Sequence, residues 1–525
     1  MPYAIDLFSG AGGFSEGILQ SGFEIVFSSD KSPMVEETYT NRHKQLGLKE
    51  GIDTHFELAD IKDLSAELIL QKINNLKYGE IFKQGSIDAI FGGPPCQGFS
   101  RLGKRDSADP RNMLFHEYLK IIRDIRPKYV VMENVTGILD MQMLDFPSVL
   151  DHGYYYGQNL VKTILEREFN GLEYTLLEVQ ILNAADFGVP QQRNRVVFLA
   201  YRNDVAPVDY PISNLKSVSV YDALGDLYES DEFSYSTEYS KDSMNGRTRH
   251  LITGEPIPRA SLSNMETSKH EQSVIDRFSL YLQGENRRKT SNRLKTTGIN
   301  LRKYTPDLFY ESLFIINSNS NANAIKILMA KLNLLDNQKS TEKWLKFTNR
   351  QLYLLYRKEF LNEKEEFHKI IKSLSIRLNT DLDTTLIFWN LIRNKLNQEM
   401  PEHTYHQKLI NGEIDERIVE VIFTKKGIRT RLNSKTISPT MVTLPDDYIH
   451  PFFNRILTVR EMARLQSFDD SFEFLGKRTT GGQKRALETP QFTQVGNAVP
   501  PLLAKAIADQ VIKSVYLTNR INTEL

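Results

Sequence analysis

Through the first two hundred residues, short runs that are apolar at nearly every position alternate with stretches whose apolar residues recur every three or four. The apolar runs are Tyr3–Phe8, Glu24–Ser28, Ile87–Phe91, Tyr129–Met132, Tyr174–Ile181 and Arg195–Ala200. The helix-like stretches between them are Ser32–Arg42, Leu64–Leu76, Met113–Ile125 and Asn159–Phe169. Strands apolar on both faces, alternating with helices, predict an α/β fold: a doubly wound, mostly parallel sheet covered on both sides. Ligands of such sheets collect at the C-terminal ends of the strands. The loops to read for chemistry are therefore Ser9–Gly13, Ser29–Lys31, Gly92–Ser100 and Glu133–Val135.

From about Asp204 the texture changes. An acidic stretch (Asp222, Asp226, Glu229, Asp231, Glu232) is followed by a basic one reaching from Arg247 to Lys303. Residues 323–398 read as amphipathic helices, and alternation returns near Ile418–Phe423 and Met441–Leu444. This predicts a first domain over 1–204 and a second, smaller one over 205–480, with a helical insertion near 320–410. A final segment, 481–525, carries a Gly-Asn turn, a Pro-Pro pair and the apolar helix Leu502–Val515.

Composition narrows the classes. The 525 residues suit two to four domains. The 66 basic and 66 acidic residues cancel, which excludes a uniformly basic nucleic-acid coat but leaves room for a local basic patch. A single cysteine excludes an internal disulfide and any cysteine-clustered metal site, so no metal and a reducing compartment are expected. The start, MPYAIDLFSGAGG, lacks the basic and apolar regions of an export signal, and no run of 18 apolar residues occurs. The early first strand predicts no N-terminal regulatory domain.

Several stretches carry candidate chemistry. Asp6–Phe14 places Gly10, Gly12 and Gly13 between the first strand and a helix, where backbone can approach a ligand closely. Ser15 stands where a dinucleotide fingerprint would have its third glycine, which argues against that ligand. Asp30 and Asp60 follow later strands and suit a ribose and an exocyclic amine, so the set points to a nucleoside-containing cofactor. The plain alternative is a glycine-lined turn that binds nothing. The only cysteine, Cys96, sits in Gly92–Ser100, a loop stiffened by Pro94 and Pro95 just past a buried strand. Most lone cysteines are small buried hydrophobes, but this position favours a nucleophile. Glu133 ends the next strand and can act as a proton donor or merely cap a turn. Arg193 and Arg195, two apart and entering a strand, are predicted to share a face.

The ordered stretches DLFSGAGGF, GGPPCQGFS, MENV, QQRNR, RILTVREMARLQSF and QVGNAVPPLLAKAIA resemble the motifs of the DNA (cytosine-5)-methyltransferase family, of the prokaryotic restriction–modification type. The resemblance covers roughly residues 1–200 and 430–515. It implies a Rossmann-like, S-adenosyl-L-methionine-dependent catalytic domain with a target-recognition domain, the last motif folding back onto the first domain. It implies S-adenosyl-L-methionine as cofactor and cytosine in double-stranded DNA as substrate, flipped out of the helix. By motif position, Phe8 would stack on the adenine, Ser9, Gly10, Ala11, Gly12 and Gly13 line the methionine end, Asp30 hold the ribose, and Asp60 with Ile61 the adenine edge. Pro94, Leu114, Asn497, Ala498 and Val499 would complete the cofactor pocket. Cys96 would attack the base, Glu133 bind N3 and the exocyclic amine, and Arg195 contact O2 with Arg193 in support.

Gln97 and Ser100 are carried over as DNA contacts, and Thr440 or Thr443 resembles a family threonine near the DNA backbone. Arg287, Arg288, Lys289, Arg293 and Lys295 are the basic candidates for target recognition. Lys31 stands where some relatives have an aromatic, and Asp469 where the family commonly has proline. By analogy the protein is a cytoplasmic, DNA-associated monomer, with a cognate restriction endonuclease as functional partner. Alternatives are an RNA (tRNA) cytosine-5 methyltransferase on the same fold, a nicotinamide-dependent dehydrogenase and a catalytically silent DNA-binding module. The long middle segment favours DNA over tRNA, the glycine spacing disfavours the dehydrogenase, and the full set of expected catalytic residues disfavours the silent module.

Overall fold

A computed structural model of the chain describes residues 1–95, 113–151, 153–213, 217–228, 236–334, 352, 355–356, 364–423, 429–480, 484 and 487–524. By their contacts these form two compact units: Met1–Glu266, Asn433–Pro445 and Leu457–Leu525 in one, Thr267–Leu432 and Asp446–Ile456 in the other. The sequence texture changes near 205, but the packing changes after Glu266. Buried polar pairs show why. Asp226, from the acidic stretch, meets Arg464 at 2.9 Å, and Thr248 donates to Glu16.

Among the described residues, the first unit holds ten strands: β1 (Tyr3–Leu7), β2 (Glu24–Asp30), β3 (His55–Leu58), β4 (Ala89–Gly92), β5 (Tyr129–Asn134), β6 (Gln142–Pro147), β7 (Tyr154–Leu160), β8 (Tyr174–Leu176), β9 (Gln180–Asn183) and β10 (Asn194–Arg202). Eight form one sheet in the order β3-β2-β1-β4-β5-β10-β8, with β9 also on β10. The pairings from β3 to β5 are parallel, and β10 is antiparallel to its neighbours. The strand order reverses between β1 and β4, so the loops after these two strands diverge and open a crevice. β6 and β7 make a separate hairpin.

Side chains alternate between the faces with period two. Val130, Met132, Val196 and Phe198 face the helices α3 (Ala66–Asn74), α4 (Leu114–Ile125) and α5 (Val161–Gly171). Ala4, Phe91, Val131 and Val197 face α1 (Gly13–Gln20) and the C-terminal helix Pro501–Glu524. The predicted doubly wound, mostly parallel sheet is thus present. The apolar run Tyr174–Ile181 is two short strands rather than one. β3 and the β6–β7 hairpin had no apolar run to announce them.

Among the described residues, the second unit is helical apart from the short pair Thr430–Arg431 and Tyr448–Ile449. Ile418–Phe423, read as alternating, lies in the helix Glu416–Phe423. Its buried residues Ile418, Val419, Ile422 and Phe423 make a helical face, not a strand face. Arg431 anchors this unit, donating to the carbonyls of His450, Phe453 and Phe278. Burial pulls its pKa down to about 10.

Candidate active site

The glycine loop after β1 is a cradle of backbone. Phe8, Gly10 and Gly12 all have positive φ, at 57°, 53° and 98°. Ser9 N–H donates to Ser29 O, and Gly10 N–H to Asp30 Oδ2 at 3.2 Å. Ser32 N–H holds the other Asp30 oxygen at 2.9 Å. Burial pushes the Asp30 carboxyl above its ordinary value, against the pull of those two N–H groups. Gly13 has no room for a side chain, since a Cβ there would lie 2.4 Å from Val499 O and 2.9 Å from the Ala498 methyl. The loop Asn497–Val499 therefore packs directly on the cradle, with Asn497 exposed and Ala498 and Val499 buried.

At the neighbouring strand end, Ala59 N–H donates to Asp30 O. Asp60 caps the turn through Lys62 N–H and lies 3.9 Å from Lys31 Nζ, and Ile61 is buried. Lys31 is thus a countercharge to Asp60. Phe8 is half-buried with its ring 6.5 Å from that of Tyr118, and Leu114 is buried at the start of α4.

Asp6 is a residue to which the sequence reading gave no role. Its Oδ2 accepts from the Ser15 hydroxyl at 2.5 Å, while Oδ1 is buried with no partner. Burial pushes this carboxyl up to about 7, with Ser15 pulling it down and Asp30 adding repulsion. The signal was present: an acidic residue one position from the end of an otherwise apolar strand. A buried carboxylate with an orphaned oxygen, Asp6, and a half-buried one, Asp30, beside a glycine cradle fit a cofactor that carries positive charge and a ribose.

The second cluster lies at the C-terminal end of β5. Glu133 is in register with Val197 on β10, and Arg195 is one pleat further along the same face. Arg195 Nε meets Glu133 Oε1 at 2.6 Å, and both side chains are largely buried. Asn134 donates to Pro94 O at 3.1 Å, and the Gly93 backbone lies beside Glu133. The Pro94–Pro95 loop is thereby fastened next to Glu133. Cys96, Gln97 and Ser100 lie outside the described residues.

Arg193 does not share the Arg195 surroundings. It is buried and donates to Met441 O at 3.1 Å and to Gly496 O and Ala498 O at 3.0 Å each. It ties two distant segments together rather than reaching toward Glu133. Thr440 donates to Gln192 O, and the Thr443 backbone packs against Gly496. Asp469 sits in a polar nest. Burial pushes its carboxyl up, but Arg42, the Ser471 hydroxyl and Arg247 N–H outweigh that and hold it below the usual range. A proline is not needed to fix this turn.

The basic cluster of the second unit lies on the helix Arg287–Thr297. Arg293 pairs with Glu285 at 2.8 Å, Lys295 with Glu416 at 3.3 Å, and Lys289 donates to Gly284 O. Arg287 and Arg288 form no ion pair among the described residues.

Comparison with known proteins agrees with this geometry. The sequence profile of C-5 cytosine-specific DNA methylases matches residues 3–322 and 331–513. The chain is 26% identical over 534 aligned residues to the type II methyltransferase M.DdeI of Desulfomicrobium norvegicum, covering 99% of this chain and 92% of that one. It is 25% identical to the type II methyltransferase M1.HphI of Haemophilus parahaemolyticus, covering 97% and 86%. A solved structure described as a DNA modification methyltransferase encoded within a prophage (E. coli) shares the fold, with a TM-score of 0.54 at 19% identity over 98% of this chain and 100% of that one. No helix among the described residues is long and apolar enough to cross a membrane. With a match running nearly end to end and the glycine cradle, the Glu133–Arg195 pair and the Asn497–Val499 loop assembled in one unit, the chain belongs to the C-5 cytosine-specific DNA methylase family.

Proposed function

We propose that the protein methylates carbon 5 of a cytosine flipped out of duplex DNA, through a covalent adduct with Cys96 and with S-adenosylmethionine as methyl donor. The observation that carries this reading is the Glu133–Arg195 pair at 2.6 Å, beside the proline loop that leads into Cys96. A carboxyl and a guanidinium held together offer one group for the N3 and exocyclic-amine edge and another for O2.

The Cys96 thiolate forms a bond to carbon 6, and the electron pair of the 5,6 double bond moves to carbon 5. Glu133 holds a proton at N3, and Arg195 balances charge at O2. S-adenosylmethionine, when bound, supplies an electrophilic methyl group. Asp30 and the Ser9–Gly13 backbone would hold its ribose and methionine ends, with Asp60 and Ile61 at the adenine edge. Loss of the carbon 5 proton and breakage of the sulfur–carbon 6 bond then restore the aromatic ring and free Cys96. Turning the base out costs roughly a few kcal/mol. A restriction endonuclease that cuts the same site is the partner expected of such an enzyme.

The test is a duplex carrying 5-fluorocytosine, offered with S-adenosylmethionine. Fluorine cannot leave in the elimination step, so wild type should form a denaturation-resistant adduct and Cys96→Ala none. An adduct or turnover by Cys96→Ala would overturn the assignment. Methyl transfer to tRNA in place of duplex DNA would overturn the substrate.

A further inference from the structure

Three stretches of the first unit, one of them leading into Arg195, are stitched together by their backbones. Gln192 N–H donates to Ser438 O at 2.8 Å, and Ser438 N–H to Pro190 O at 3.1 Å. Val220 N–H donates to Thr436 O at 2.9 Å, and Tyr221 N–H to Ser434 O at 2.8 Å. These bonds leave an open groove of about 500 Å³ lined by Gln192, Ser217, Ser219, Lys435, Thr436 and Ile437. Five of the six are polar, one is cationic and none is anionic.

Lys435 is exposed and forms no ion pair among the described residues. Asp222, the carboxylate next to Ser219, is turned to the Ser219 N–H and hydroxyl as a helix cap. The groove therefore offers an uncompensated ammonium with hydroxyl and amide donors around it, on a backbone that cannot easily deform. Such a donor set fits a phosphate. Gln192 is three residues from Arg195, a span of at most about 11 Å of chain.

We propose that this groove seats a backbone phosphate of the substrate duplex, with Lys435 as countercharge and Ser217 and Gln192 as donors. The strand is then held in register with Glu133 and Arg195 while the cytosine turns out. The inference rests on the proposed action on DNA and adds a positioning site to it. Inorganic phosphate presents similar oxygens, so the test must separate the two.

The full-length protein is titrated with a duplex fragment that wild type methylates, over a range of salt. Lys435→Ala should weaken binding several-fold, on cognate and unrelated duplexes alike, because a phosphate contact carries no sequence information. The slope of log affinity against log salt should shrink by about 0.9. Lys435→Arg should keep the wild-type affinity and slope, since it keeps the charge. An unchanged affinity and slope in Lys435→Ala would overturn the proposal. So would calorimetry in which inorganic phosphate binds wild type but not Lys435→Ala while the DNA slopes coincide, since the groove would then be a small-anion site. If wild type methylates no duplex at all, the parent reading fails and this one with it. If wild type methylates normally and the slopes coincide, only the groove assignment fails.

Discussion

Glu133 and Arg195 project from the same face of adjacent antiparallel strands, and the carboxylate Oε1 lies 2.6 Å from the guanidinium Nε. Each neutralises the other in a largely buried position, so neither can be removed without leaving the other exposed to a desolvation cost. Glu133→Gln keeps the shape and removes the proton-holding function. Methyl transfer should fall by about 10²–10⁴, with DNA and cofactor affinities within a few-fold of wild type. Single-turnover kinetics check this, and a retained rate would remove Glu133 from the chemistry.

Gly13 meets the backbone of Val499 where a side chain would stand. Gly13→Ala must push the Asn497–Val499 loop off the cradle. Overpacking of this kind costs about 1–3 kcal/mol. Urea unfolding should show that loss, and calorimetry should show weaker S-adenosylmethionine binding. Normal cofactor affinity would mean that this loop does not wall the pocket.

Arg193 supplies hydrogen bonds to the carbonyls of Met441, Gly496 and Ala498 from a buried position. Arg193→Ala removes these bonds, at about 1–3 kcal/mol for each carbonyl left unpaired, and Arg193→Lys should not rescue it because an ammonium cannot fork to all three. The expected signature is lost stability together with lost cofactor affinity. A fall in the chemical rate with stability and cofactor affinity intact would instead place Arg193 at the base.

Asp6 carries a pH dependence of its own. Its folded pKa of about 7 lies above the ordinary 3.8, so the folded state binds the extra proton between those values. Its contribution to stability is full below about pH 4 and is lost as pH rises through 7. Asp6→Asn should flatten the stability profile across that window. Unfolding curves from pH 4 to 8 decide the matter, and a profile identical to wild type would refute the assignment.

The basic helix of the second unit should split into two kinds of residue. Arg293, clasped by Glu285, should behave as structure: Arg293→Ala lowers stability and leaves the salt dependence of DNA binding alone. Arg287→Ala and Arg288→Ala should weaken binding and reduce the salt slope by about one each. Filter binding at several salt concentrations separates them. Unchanged slopes for Arg287 and Arg288 would show a merely solvated face.

What the sequence made legible was what burial on both faces leaves in composition. The strands at Tyr3, Glu24, Ala89, Tyr129 and Asn194 read as apolar runs because they are covered above and below. His55–Leu58 hid because an edge strand keeps polar side chains, and the Gln142–Leu160 hairpin because one of its faces, with Tyr154 and Tyr156, is exposed. Ile418–Phe423 misled because a short apolar run fits either period. The glycine loop and Glu133 were legible from position at strand ends. Arg193 was not, because its partners are carbonyls some 250 to 300 positions away and leave no trace in local spacing. Asp6 was legible only as an acidic residue near the end of an apolar strand, while its unpartnered oxygen depends on neighbours that the strand pattern does not name.

The helix Pro501–Glu524 covers the same sheet face as α1, yet it is synthesised about 300 residues after β10. At roughly 5–20 residues per second, the ribosome needs about 15–60 s to cross that interval. Throughout it the nascent chain already carries Ala4, Phe91, Val131 and Val197 without their final cover, and Arg193 without the carbonyls of Gly496 and Ala498. Completion of the first unit therefore waits on the synthesis of this helix. A chain released within that interval would present this apolar sheet face to water, and exposed apolar surface of that kind is what makes partly folded chains aggregate.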